Sequence, residues 1–147
     1  MGITGSTPGT VTIENINVYV TTTTAPVTEY VAGEALSAKS VVCVGESDGK
    51  VYLAKADSWT TMPAIGITNA AVAIGETVEV YQTGKVTNVL READFSYDDQ
   101  IFVSPNTAGK LTKTSVEGVG QIYQEIGRAL NSSDVVLSIQ EPIEIGA

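Results

Sequence analysis

A chain of 147 residues, 43% of them hydrophobic, is long enough for one domain with a modest core and too apolar to stay unfolded. Its formal charge of −9, with Lys and Arg nowhere clustered, sets it against phosphate backbones and argues against nucleic acid as a partner. No apolar run approaches the roughly 20 residues of a membrane span, so no membrane partner is expected.

In chain order, Met1 to Pro26 stands apart. It is rich in Thr and Gly, and Glu14 is its only charge. It lacks the charged-then-apolar order of a secretory signal. Val11, Ile13, Ile16, Val18 and Val20 alternate with polar residues, a strand pattern, and Thr21 to Thr24 read as a stiff extended linker. Residues 1–26 are therefore expected to form an extended N-terminal arm. Such an arm returns to its own domain or reaches a neighbour by strand addition.

From residue 27 to 147 the signals are strands and Gly turns, and one β domain is expected. Val and Ile interleaved with Thr and Tyr suit a half-buried pleated surface. Val41 to Val44 and Lys50 to Leu53 flank the hairpin turn Glu46-Ser47-Asp48-Gly49. Ala54 to Met62 has room for one short helical turn before Pro63. Thr83-Gly84-Lys85 reads as a hairpin joining Val78–Tyr81 to Val86–Leu90. Val119 to Leu130 carries too many β-formers and Gly interruptions for a helix. The tail from Gln140, with Pro142, reads as an edge segment or arm.

Two stretches repeat one order of landmarks: about 33–82 and 92–140. Each has a strand, a Gly-Lys-apolar hairpin (Gly49-Lys50-Val51 and Gly109-Lys110-Leu111), an Ile-Gly pair (Ile65-Gly66 and Ile126-Gly127), and a strand ending in Gln82 or Gln140. This predicts an internal duplication. The fold class expected is all-β, a compact β-barrel or β-sandwich built from two similar halves that close on each other, with the N-terminal arm extended.

The chemistry is sparse. Gly45-Glu46-Ser47-Asp48-Gly49 matches the serine-hydrolase Gly-x-Ser-x-Gly pattern, but there is no histidine to act as base, and the Ser lies in a hairpin turn. Cys43, the single cysteine, sits between Val42 and Val44 and is expected to be a buried apolar residue in a reducing compartment. No His and one Cys remove the usual transition-metal sites. Asp94, Asp98 and Asp99 cluster without the spacing of a calcium loop. Asn131-Ser132-Ser133 matches a glycosylation acceptor and means little without a secretion signal. Trp59 and Tyr97 are candidates for a sugar platform, while a lone Trp is more often a core or interface plug. Tyr52, Tyr81, Tyr97 and Tyr123 lie in or near strands and are expected to cover the rim of a core, or in a few cases to anchor a subunit contact. Asp98 and Glu125 are one conceivable carboxylate pair for glycoside chemistry, marked out by nothing around them. Catalytic, metal and cofactor sites are all expected to be absent, and the chain is not expected to be an enzyme.

The runs Ala32-Gly33-Glu34-Ala35-Leu36-Ser37-Ala38, Gly49 to Ala56, Pro63-Ala64-Ile65-Gly66-Ile67 and Gly75-Glu76-Thr77-Val78, continued by Gly109-Lys110-Leu111-Thr112 and Ile126-Gly127-Arg128-Ala129-Leu130, resemble small virion proteins of tailed bacteriophages. Such cassettes occur in capsid decoration (cement) proteins and in the shaft or base domains of head and tail fibres. The resemblance covers about Ala32 to Gln140 and carries over no catalytic residue. It implies a non-enzymatic all-β structural protein, made in the host cytoplasm and bound to the outer capsid surface of the virion. Its partners would be the major capsid protein and itself, as a homotrimer. The alternative is a carbohydrate- or receptor-binding module of a phage fibre or tail.

Overall fold

The computed structural model describes residues 27–146. The arm expected over 1–26 lies outside the described residues. Five strands, β1 (Val27–Val31), β2 (Val41–Val44), β3 (Val51–Leu53), β4 (Ala64–Thr68) and β5 (Thr77–Tyr81), form one antiparallel sheet in the order β1-β5-β4-β2-β3. A second antiparallel sheet has the order β6-β11-β10-β7-β8. Its strands are β6 (Thr83–Val86), β7 (Gln100–Val103), β8 (Leu111–Thr112), β10 (Glu125–Ala129) and β11 (Val135–Ser138). β9 (Ile122–Tyr123) pairs with the tail strand β12 (Ile143–Glu144), so the tail is an edge segment. The only helical turn among the described residues, Trp59–Thr61, is a 3-10 turn that Ser58 caps by accepting from Thr60 N. None of the described helical residues makes a segment long and apolar enough to cross a membrane.

One expected hairpin is not formed. β5 and β6 are nearly continuous in sequence, but β6 pairs with β11, not with β5. Gly84, at φ +85°, lies within β6 rather than at a reversal. The chain passes here from the first sheet to the second, because Val86 is buried in the core that both sheets share.

The two sheets have the same strand order if β1 to β5 are set against β6, β7, β8, β10 and β11. The match extends to register. The β2–β4 ladder is interrupted between Val42 and Cys43, where Ile65 bulges between Ala64 and Gly66. The β7–β10 ladder is interrupted likewise, with Ile126 between Glu125 and Gly127. Loop hydrogen bonds correspond too. Lys39 N donates to Thr68 O at 3.0 Å and Asp98 N to Ala129 O at 2.8 Å. Gly33 N donates to Val51 O at 2.8 Å and Glu92 N to Leu111 O at 2.9 Å. The β4–β5 and β10–β11 pairings set Tyr81 against Val136, so the last strands match three residues away from the alignment on Gln82 and Gln140. The two sheets thus share one strand order and one bulge position. The shared order includes β1 and β6, which lie outside the stretches 33–82 and 92–140.

Gly66 and Gly127 are required at the bulges by close approach. A Cβ on Gly66 would lie 2.2 Å from the Tyr81 carbonyl oxygen, and one on Gly127 2.0 Å from that of Val136. Backbone meets backbone at both places, so no side chain can move aside.

The sheets pack into a sandwich around one core. Val41, Cys43, Ala64 and Ile67 come from the first sheet, and Ile101, Val103, Leu111, Ile126 and Val135 from the second. Each large aliphatic side chain buried there contributes about 1.5–3 kcal/mol. Corresponding positions do not face this core together. Ile101 matches Val42, yet Val42 belongs to a second, smaller cluster on the outer face of the first sheet, with Ala32, Leu36, Val51, Val78 and Val80. The sheets therefore stack face to back. The outer face of the first sheet is covered by its own β4–β5 loop, where Leu36 and Val72 exchange backbone hydrogen bonds at 2.9 and 3.0 Å. The corresponding connection in the second sheet, 130–134, is too short to cover a face, and the first sheet covers it instead.

Candidate functional site

Each chemically suggestive motif resolves into local structure. Ser47 is exposed in the β2–β3 turn, and the turn is organised by Asp48 instead. Asp48 Oδ1 accepts from Lys50 N at 3.0 Å and Oδ2 from the Tyr52 hydroxyl at 2.5 Å. The Tyr52 bond and then the Lys50 amide hold the Asp48 carboxyl below its ordinary value. The same bond pushes the Tyr52 phenol up. The Tyr52 ring lies over Gly33 and Gly45, where an added Cβ would come within 2.2 and 2.7 Å of ring carbons. Cys43 is buried in the shared core, and burial raises its thiol to about 11. A thiol so shielded is no nucleophile at neutral pH.

The acidic residues are distributed among separate partners. Asp94 pairs with Arg91 at 2.9 Å, and Asp99 accepts from Ser96 N at 2.7 Å. Asp98 and Glu125 are brought together, but on either side of a cation: Arg128 reaches Asp98 at 3.4 Å and Glu125 at 3.5 Å. The two carboxylates thus share one guanidinium. No group of three or more potential metal ligands occurs among the described residues. Asn131 is a turn former: its Oδ1 accepts from Ser133 N and Asp134 N, both at 2.9 Å. Its amide nitrogen donates to Asp134, and this bond is the main cause of the lowered Asp134 carboxyl.

Two surface features remain. The first is Trp59, 45% exposed on its 3-10 turn. Its indole nitrogen donates to Glu144 Oε1 on β12 at 2.6 Å, which fixes the ring plane. Trp59 borders an open groove of about 470 Å³ with Val44, Glu46, Ser47, Thr60 and Met62. Sequence reasoning singled out Trp59 but not Glu144, which lies 85 positions further on, and no local signal joins them. Tyr97, 78% exposed, sits in the turn before β7, next to Asp98, which is bonded to Ala129 at the far end of β10. The structure does not bring the two rings into one platform. The second feature is strand β1, where the chain enters the described fold. It pairs with β5 on one side only among the described residues and exposes Val27 and Val31. No protein-family model matches the chain, and no curated protein matches it.

Proposed function

We propose that this chain is a non-enzymatic structural protein of a tailed-phage virion that binds the outer surface of the assembled capsid and stabilises it. The observation that carries the reading is the fate of the polar side chains. Asp48, Asp94, Asp98, Glu125 and Asn131 are all spent on turns and ion pairs of a rigid sandwich. The edge strand β1 is left as a surface for backbone pairing. The phage-like cassettes between Ala32 and Gln140 agree with it. The mechanism is mass action: a protein that binds the assembled shell and not its free subunit stabilises the shell. Many symmetric copies multiply a weak contact. A homotrimer would match a threefold point of the lattice. Cryo-electron microscopy of the particle that carries the chain tests this. Density at regular lattice points supports it, and density only at a vertex or on the tail refutes it. A monomeric mass by light scattering would remove the trimer.

The second reading, a carbohydrate-binding module of a fibre, is favoured by Trp59. An exposed indole held by a carboxylate beside Glu46 and Ser47 has the stacking face and polar neighbours that sugars use. Glycan-array binding that disappears in Trp59→Ala would establish it.

A further inference from the structure

The eight basic residues of the chain are outnumbered by 17 acids. Three of the eight, Lys39, Arg91 and Lys110, nonetheless line one hollow of about 400 Å³ where the loop before β2 meets the segment 88–94. Two acids share the wall, and both are engaged. Glu92 accepts the Ser104 hydroxyl, and Asp94 accepts from Arg91. Lys39 and Lys110 have no carboxylate within 4.0 Å among the described residues. The cations are also positioned. Lys39 Nζ donates to the Thr87 carbonyl at 2.6 Å, and Arg91 Nη1 to that of Val89 at 2.9 Å.

The backbone at Lys39 adds an independent observation. Its φ is +62°, in the left-handed region, and the matching residue of the second sheet is Asp98, at +68°. Asp tolerates this conformation through its short polar side chain, whereas Lys gains nothing from it. Strain of this kind persists where the surroundings fix the residue, and it gathers at functional sites. Here Lys39 N donates to Thr68 O and Leu90 N donates to Lys39 O, so the residue is pinned at the seam between the two sheets.

We propose that the hollow is a binding site for one compact oxyanion, a carboxylate or a phosphate monoester, held by the Lys39 and Lys110 ammonium groups with Arg91 beside them. The surrounding acids repel a polyanion and leave a single small anionic group as the fitting ligand. The inference does not rest on the capsid reading. To test it, isotope-labelled protein is titrated at low salt with inorganic phosphate in one arm and a capped Glu-Glu dipeptide in the other, while amide chemical shifts are followed. Saturable shifts at 38–39, 88–94 and 110 in either arm support the site, and the responding arm names the source. Lys39→Gly, which removes the ammonium and relaxes φ, should weaken binding at least about tenfold, the loss of one charge-assisted contact. Its Tm should be unchanged or higher. Lys110→Gln should weaken binding similarly. No saturable shift in either arm, shifts spread equally over Lys50, Lys85 and Lys113, or undiminished binding in both variants would overturn the proposal.

Discussion

Ile67 and Arg128 occupy the same place in the two sheets, and one is fully buried while the other is exposed. The same contrast extends to their neighbours on the face, though not to Phe102, which matches Cys43 and is buried as well. Val41, Ala64 and Tyr81 of the first sheet correspond to Gln100, Glu125 and Val136 of the second. The first set packs on the neighbouring sheet, and the second set looks outward. Shared register thus coexists with opposite chemistry, because a face-to-back stack gives matching positions different surroundings. Such a stack has no inherent end and would continue with further sheets unless each outer face is stopped. The β4–β5 loop stops one face. Gln100, Glu125 and Arg128, joined by hydrogen bonds and ion pairs, stop the other.

The strongest way to break this comparison is to exchange the two side chains. Ile67→Arg would bury a guanidinium with no partner in the shared core and should cost about 4 kcal/mol or more. Arg128→Ile should change stability by less than about 1 kcal/mol, since its ion pairs are exposed. It should promote self-association through a widened apolar face. Urea melts and light scattering of both variants read the asymmetry, and equal costs would refute the face-to-back assignment.

The bulge glycines test the part of the comparison that is symmetric. Gly66→Ala and Gly127→Ala each force a Cβ onto a carbonyl oxygen across the ladder. Both should lose about 3 kcal/mol or more, and to a similar extent. If one is tolerated, the two bulges are alike in pattern but not in packing.

Gln124 comes next. It is buried, its Oε1 accepts from Ala64 N at 2.9 Å, and its Nε2 donates to Ala64 O at 3.2 Å and Gln140 O at 3.0 Å. A side-chain amide here completes the backbone pairing of β4 from the opposite sheet. Gln124→Leu keeps the volume but strands those backbone groups, and a loss of about 2–3 kcal/mol is expected in the same melts. The residue of the first sheet that matches Gln124 is Pro63, which has no side-chain amide and so makes no such bridge.

Much of this was legible in the chain beforehand. The hairpin turns at 46–49 and 105–109, the Ile-Gly pairs and the all-β class follow from local turn chemistry and strand composition, and the structure has them. The chain reads as a β5–β6 hairpin because Thr83-Gly84-Lys85 is a good turn sequence, and only the distant partner β11 decides otherwise. The direction of stacking was not legible, since alternation shows that a strand has an apolar face but not which sheet will cover it. The Trp59–Glu144 bond and the Lys39–Lys110 hollow were hidden for the same reason: residues far apart in sequence build them.

The smallest expected effect separates the two hairpins. The β2–β3 turn hangs on the Asp48 carboxylate, whereas the β7–β8 turn hangs on Ser104, whose hydroxyl oxygen accepts from Asn106 N and Thr107 N, both at 3.0 Å. Because the Asp48 carboxyl lies below its ordinary value in the fold, its contribution is present above the unfolded value near 4 and is lost as pH falls through the folded one. The Tyr52 phenol is raised, so its contribution holds below about 10 and is lost as pH climbs through the folded value. Amide shifts of Lys50 should therefore move at both ends of the pH range, while those of Asn106 and Thr107, bonded to a hydroxyl that does not titrate, should stay level in the alkaline limb. Tyr52→Phe should abolish the alkaline movement at Lys50 and shift its acid midpoint upward, toward that of a free aspartate. An unchanged acid midpoint in that variant would mean that the Lys50 amide alone holds the carboxylate, and that the phenol merely covers Gly33 and Gly45.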